Sequence, residues 1–545
     1  MKKIILVLGI IATTFSSCSS YLEEESLSNV PADATYKTAS GFQLLVNTDY
    51  ARLKGIYGGD PWLFEAGTDM YAEGRTAEPA GLSQYALLIP SSTGVEQLYN
   101  SCYLAIQSVN KTEYYSKVTE QNANVSVLLG EAKFIRAQAY FLLVQTYGGV
   151  PIVDENITSP VLSFKRNTAE EVYTHIIADL ESSLATVGTG AYAASGKVNK
   201  RAVNDLLAKV YLTRGYETFA KADDFTKAAA YADAAIAGQA LNLAYADLFK
   251  PTNDLNIETI FSVQYDKNST STDPTKLGNN QFYYFSSYLG GSETKGNAPL
   301  RSYNLCPTGY ALGLYTKDDK RWSATFMNEV YENYYDFFRV ADKTNLKIKH
   351  FYEPKWFTPA DKANYLATAK LATGFVYHPW GEYAAEYTLT KNIDYQTIPV
   401  KKFDDPELTT PSSTGPVSTR DIILARLGET YLVAAEAYLK AGVPANGLAR
   451  LNEVRRRAGV TNATAAEFNI DYILDERARE LVGEYKRWFD LKRTGTLVVR
   501  ASAYNYRIKA ANFVGVDGQL KILRPIPQTA LDLNQNKDFP QNPGY

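Results

Sequence analysis

Between about residue 94 and residue 240 the apolar positions fall at helical spacing. Leu128, Ala132, Ile135, Ala139 and Leu142 recur at steps of four, three, four and three, drawing one stripe along a helix. That segment, 130–149, closes on Gly148 and Gly149 with Pro151 just beyond, the chemistry of a helix C-terminus. The same pattern predicts helices over 168–187, 199–217 and 224–238. Ala208, Ala228, Ala232 and Ala235 stand where neighbouring helices would approach closely. The period returns over 420–441 (Leu427, Tyr431, Ala434, Tyr438), over 444–458, and over 467–493 (Leu474, Ala478, Leu481, Tyr485, Trp488). The expectation is a mainly α fold of about eight helices in four pairs.

Two stretches break the period. Residues 250–415 mix short extended runs, such as Thr259–Tyr265, with Gly, Pro, Asn and Ser clusters, and are dense in aromatics. Residues 28–93, with GIYGGDPW at 55–62, read the same way. Long irregular segments in a compact protein are usually functional, so binding residues are sought there. The paired helices with alanines at their crossings resemble tetratricopeptide hairpins, although the 34-residue consensus is not present as such.

The start of the chain carries an address. Lys2 and Lys3 precede an apolar run over 4–12, too short to span a bilayer. Ser16 and Ser17 then lead into Cys18, which resembles the bacterial lipobox, with Phe15 where leucine is usual. Residues 1–17 read as a lipoprotein signal peptide and 18–30 as a lipidated tether. The tether's acidic run, Glu23 to Glu25, resembles the surface-export signal of Bacteroidetes lipoproteins. An N-terminal part (31–240) and a C-terminal part (241–545) follow and are expected to form one compact unit. The second part comprises the irregular insertion (about 250–415), closing helices (420–495) and a final segment (520–545).

Charge and composition remove several classes. A net charge of −3 offers no basic patch for nucleic acid. Beyond the leader no stretch reaches the length of a membrane span, which leaves lipid as the membrane contact. Cys102 and Cys306 read as two buried thiols. The histidines at 175, 350 and 378 show no metal-ligand spacing, so no metal or cofactor is expected. There is no G-x-S-x-G elbow and no H-E-x-x-H pair. Ser195, Gly196 and Lys197 lack the rest of a phosphate loop and read as a turn before the helix at 199. A glycoside hydrolase needs only two placed carboxylates, and 59 acidic residues keep it as the enzymatic alternative.

Aromatics change the picture most, since 41 residues are tyrosine, a flat apolar face with a hydroxyl handle. In the early region the candidate ligand residues are Trp62, Tyr71 and Tyr85, with Asp69 and Arg75 as hydrogen-bonding partners. In the insertion they are Tyr283, Tyr284 and Tyr288 around Phe285, then Tyr334 and Tyr335, then Trp356 and Trp380. Trp322 is assigned to the core. Arg477, Glu480, Arg487 and Trp488 read as structural parts of one amphipathic helix, with Glu476–Arg479 and Glu484–Arg487 as i,i+3 pairs.

Five blocks, in order, carry a family resemblance. They are EAKFIRAQAYFLLVQTYGGVPIV (131–153), ARLGETYLVAAEAYLKAG (425–442), LNEVRRRAG (451–459), DERARELVGEYKRWFDLKRTG (475–495) and LRPIPQTALDLNQNKDFPQNPGY (523–545). Together they resemble the SusD/RagB family of Bacteroidetes surface lipoproteins along almost the whole chain. The resemblance implies a nutrient-binding protein without catalysis, anchored through Cys18 to the outer membrane and facing the exterior. It would act as the lid of a SusC-like TonB-dependent transporter, capturing an oligo- or polysaccharide, or in some members a peptide. It does not fix the ligand or transfer individual ligand contacts.

Overall fold

Short polar side chains open the main helices. In the computed structural model, which describes residues 32–73, 79–266, 278–285, 301, 304–385, 397–408 and 417–545, Thr38 caps α1 (Ala39–Tyr57) by accepting from the Gly41 amide. After α2 (Val95–Ser116), Asn122 caps α3 (Ala123–Tyr147). Thr168 and Glu171 close a reciprocal capping box on α4 (Ala169–Thr186). Asn199 caps α5 (Lys200–Arg214), and α6 spans Asp224–Ile236. The late helices are α7 (Leu427–Lys440), α8 (Pro444–Ala458), α9 (Ile470–Glu480) and α10 (Arg487–Arg493).

Helices α1 to α8 stack in sequence, each packing on the next, and make four successive pairs among the described residues. Ala208, Ala228, Ala232 and Ala235 are fully buried, where their small size lets the backbones close up. The stack joins the N-terminal helices to the late ones through α6 and α7. This mainly α scaffold agrees with the sequence reading, but its membership does not. Region 28–93 is not wholly irregular: it holds α1, whose Phe42, Leu45, Val46, Leu53 and Ile56 are buried.

Two predicted helices break. Residues 422–426 are not helix but strand β7 (Ile422–Arg426). It pairs antiparallel with β2 (Thr259–Val263), and every residue of both strands is buried. The predicted 467–493 helix splits into α9 and α10 around a turn in which Gly483 (φ 71°) and Tyr485 (φ 66°) are left-handed. Within the insertion, β4 (Glu329–Tyr331) pairs antiparallel with β5 (Ile348–Tyr352). Strand β5 pairs parallel with β6 (Leu371–His378), and the helix Pro359–Thr368 makes the crossover. A two-residue strand, β1 (Tyr71–Ala72), pairs with β3 (Cys306–Pro307).

The closing charges turn inward rather than lying on a solvated helix face. Glu480, fully buried, accepts from Arg426 (2.6 Å) and Arg321 (3.1 Å) and also pairs with Arg457. Burial alone would raise its carboxyl, but these guanidiniums hold it at about 2. The expected Glu476–Arg479 pair forms at 2.6 Å, with Arg321 and Arg455 also on Glu476. The expected Glu484–Arg487 pair does not. Past the turn Glu484 faces Arg426 at 2.6 Å, and Arg487 faces the early region. Arg477, Glu480, Arg487 and Trp488 are buried, as a structural role requires, and so is Trp322. Cys102 and Cys306 are buried thiols. Gly196, left-handed at φ 63°, turns the chain into α5.

Candidate functional site

Helix α1 runs out at Gly58, and the loop Gly59–Asp60–Pro61 carries the chain into a short helix, Trp62–Glu65. The insertion comes down on this loop: the Asn280 amide donates to the Gly58 carbonyl at 3.0 Å. Asn280 leads into a second short helix, Gln281–Tyr284, so residues more than 200 positions apart share one surface. The Tyr284 hydroxyl donates to Asp60 Oδ1 at 2.8 Å, and Gln97 Nε2 on α2 donates to Asp60 Oδ2 at 2.7 Å. Tyr283 stands perpendicular to Tyr284, with ring centroids 5.0 Å apart. Asp60, Tyr283 and Tyr284 are each half-buried.

Trp62 backs this group. It is 7% exposed and lies against Gly94, which starts α2 at φ 90°. A Cβ at Gly94 would collide with the Trp62 ring, so the glycine serves both the backbone and the packing. Burial and the Asp60 carboxylate push the Tyr284 phenol up, with the Trp62 indole as a further hydrogen-bond partner. Tyr284 therefore stays a neutral donor at physiological pH. The group combines planar apolar faces with a carboxylate acceptor, a phenol and an amide at their edges, which suits a ligand with flat C–H faces and hydroxyl rims.

Of the residues singled out from sequence, the structure gathers Trp62, Tyr283 and Tyr284. It places Asp69, Tyr71 and Tyr85 inside. Asp69, 0% exposed, is gripped by Arg487 and Arg500. Tyr71, on β1, packs edge-on to Phe285 with centroids 5.3 Å apart. Tyr85 stacks on Phe513 at 3.9 Å, donates to the Gly67 carbonyl and accepts from the Trp488 indole. Asp69 and Tyr85 face the interior with their polar ends bonded there, whereas Tyr71 is held by ring packing. Trp356 and Trp380 are half-buried and flank Trp322, with centroids at 5.5 and 6.4 Å. Tyr334 is buried on Asp404 (2.6 Å), and Tyr335 is buried beside it. Cys18, Arg75 and Tyr288 lie outside the described residues.

Asp60 and Gln97 are the contributors that sequence reasoning passed over. Asp60 had a signal, since it sits between Gly59 and Pro61 in the same short string that holds Trp62. Gln97 had none, because only the fold brings α2 to the loop.

Residues 257–545 match the model of the SusD family, and residues 20–212 match one described as starch-binding associating with outer membrane. The chain is 25% identical to SusD-like protein P2 of Formosa agariphila across the full length of both. It is 26% identical to the starch-binding protein SusD of Bacteroides thetaiotaomicron, over 84% of this chain and 79% of that one. A solved structure, surface glycan-binding protein A from Bacteroides thetaiotaomicron in complex with laminarihexaose, superposes with a TM-score of 0.70 at 21% identity. The match covers 93% of this chain and all of that one.

Proposed function

The chain belongs to the SusD family, and from that membership we propose that it captures a glycan at the cell surface and hands it, uncleaved, to a TonB-dependent outer-membrane transporter. The observation that carries the ligand class is the Asp60–Tyr284 hydrogen bond beside the Tyr283 ring. A sugar ring laid on Tyr283 or Tyr284 presents its C–H face to the aromatic and its hydroxyls to Asp60 and Gln97. Two relatives support this reading by name, one called starch-binding and one bound to laminarihexaose. The assigned contacts are Tyr283 and Tyr284 with Asp60, Trp62 backs them from inside, and Trp356 offers a separate half-exposed ring.

Cys18, acylated, is the membrane tether in this scheme, since no helix among the described residues is long and apolar enough to cross a bilayer. The outer leaflet holds the protein beside its transporter, and transport consumes no covalent chemistry on this chain.

Purified protein titrated against laminarihexaose, malto-oligosaccharides and a peptide mixture tests the proposal. Saturable glycan binding without new reducing ends is the expected result. Peptide binding alone, or turnover of a glycan, would overturn it. In cells, Cys18→Ala should leave the purified protein's affinity unchanged while the protein leaves the membrane fraction and uptake stops.

A further inference from the structure

Three polar atoms line one small cavity without a hydrogen-bond partner among the described residues. They are Glu65 Oε2, the Tyr71 hydroxyl and Arg477 Nη1, on side chains whose residues are 1%, 2% and 3% exposed. The cavity, about 10 Å³, lies between the short helix Trp62–Glu65, strand β1, and α9 with the turn that follows it. Met70, Leu481 and Val482 form its apolar wall. The other charged groups along it are engaged. Arg487 holds Asp69, Asp490 holds Arg477 and Arg493, and the Lys486 ammonium donates to the Leu424 carbonyl. Polar atoms shut away from solvent without a partner are costly, so three around one cavity call for a shared one.

We propose that this cavity is a binding site for one ordered water molecule, held by Glu65, Tyr71 and Arg477. A single water needs about 10–15 Å³ and two to four polar partners, and the site offers both. Donors and acceptors balance as well. Glu65 Oε1 already accepts the Tyr485 and Lys486 amides. The carboxyl, kept protonated by burial, therefore carries its proton on Oε2. That O–H and Arg477 Nη1–H fill the two acceptor positions of the water, which in turn donates to the Tyr71 oxygen. A cation would face the Arg477 guanidinium and an anion the Asp490 carboxylate, so a neutral molecule that both donates and accepts is the one that fits. Arg477, Lys486 and Asp490 also line a larger cavity of about 80 Å³ between α3, α5, α7 and α10, which sets a route for exchange beside the site. The water joins the segment that carries Trp62 to α9, and it gives Tyr71 a structural task in place of the glycan contact its sequence position suggested.

A high-resolution crystal structure of the purified protein should show one water within hydrogen-bond distance of all three atoms. Glu65→Gln, whose amide also donates, should keep that water, and Glu65→Leu, which offers it nothing, should lose it. Tyr71→Phe keeps the ring against Phe285 and should raise the unfolding equilibrium constant about fivefold, the worth of one hydrogen bond. In the Glu65→Leu background the same change should have little effect. Tyr71 and Glu65 make no direct hydrogen bond, so coupling between them has to pass through the water. The proposal fails if the parent's density shows the three side chains without a water between them, or if Tyr71→Phe costs the same in both backgrounds. The parent crystal needs no variant, so misfolding of Glu65→Leu would not shield the proposal.

Discussion

Arg487 grips Asp69 with two parallel hydrogen bonds, Nε to Oδ1 at 2.8 Å and Nη2 to Oδ2 at 2.6 Å, across 418 residues of chain. Arg500 adds a third contact at 3.3 Å. With the carboxylate wholly shielded from solvent, this planar fork ties α10 to the early region. Asp69 thus holds the scaffold that carries the binding loop.

Removing the carboxylate leaves the Arg487 guanidinium buried without its counter-charge, while Arg500 keeps Asp471 and Asp475. Asp69→Ala should therefore cost about 3–5 kcal/mol of stability. Denaturant unfolding of the variant checks the size, and glycan titration at low temperature checks that the folded fraction still binds normally. A variant that unfolds like the parent but has lost its ligand would place Asp69 at the site instead.

Glu65 supplies a pH signature. Its Oε1 accepts from the Tyr485 amide (2.6 Å) and the Lys486 amide (3.3 Å). Burial nevertheless outweighs these bonds and pushes the carboxyl up to about 8. An unfolded glutamate titrates near 4.5, so between those values the folded protein holds one proton more than the unfolded chain. The stabilisation is complete below about pH 4.5 and is lost as pH rises through about 8, with a slope of at most about 1.4 kcal/mol per pH unit. Glu65→Gln should remove that slope. Urea midpoints at pH 5, 6.5 and 8 for parent and variant measure it, and parallel lines for the two proteins would refute the assignment.

Much of the scaffold was legible because helix signals are local. The Pro444–Ala458 helix and the Thr168–Glu171 box announce themselves within four residues. Breaks in the backbone were not. Leu474, Ala478, Leu481, Tyr485 and Trp488 keep one apolar period straight through a turn, because the period counts side chains and is blind to φ. The run Ile422–Arg426 is buried on both faces, and such a run reads alike as strand or helix. For the site, Trp62, Tyr283 and Tyr284 were visible as aromatics. Asp69, Tyr71 and Tyr85 have the same chemistry but face inward, a distinction only tertiary packing makes.

The turn between α9 and α10 makes a direct test of that backbone break. At Gly483, φ is 71° and an added Cβ would lie 2.5 Å from Phe403 Cε2. Gly483→Ala should combine left-handed strain of about 1–3 kcal/mol with displacement of Phe403. It should lower Tm more than Gly495→Ala, where φ is also positive (70°) but nothing lies within 4 Å of the added Cβ. Equal losses would show that conformation alone, and not the Phe403 contact, sets the cost.

The binding site itself separates into three variants with different signatures. Tyr283 is half-buried, so Tyr283→Ala should keep the fold and weaken glycan binding by about 1 kcal/mol, roughly fivefold. Asp60→Asn keeps the shape but exchanges a charged acceptor of the Tyr284 and Gln97 hydrogen bonds for a neutral one. Charged hydrogen bonds are worth about 1.5–3 kcal/mol, so this variant should bind more weakly than Tyr283→Ala. Trp62 differs from both because its ring fills the space above Gly94. Trp62→Ala should open a cavity and cost about 3–5 kcal/mol in stability, with weaker binding as a consequence. Native gels cast with laminarin or starch, read beside thermal melts, distinguish the two kinds of loss. If Tyr283→Ala and Asp60→Asn migrate like the parent in every polysaccharide that retards it, the ligand sits elsewhere, and the Trp356 ring becomes the surface to test.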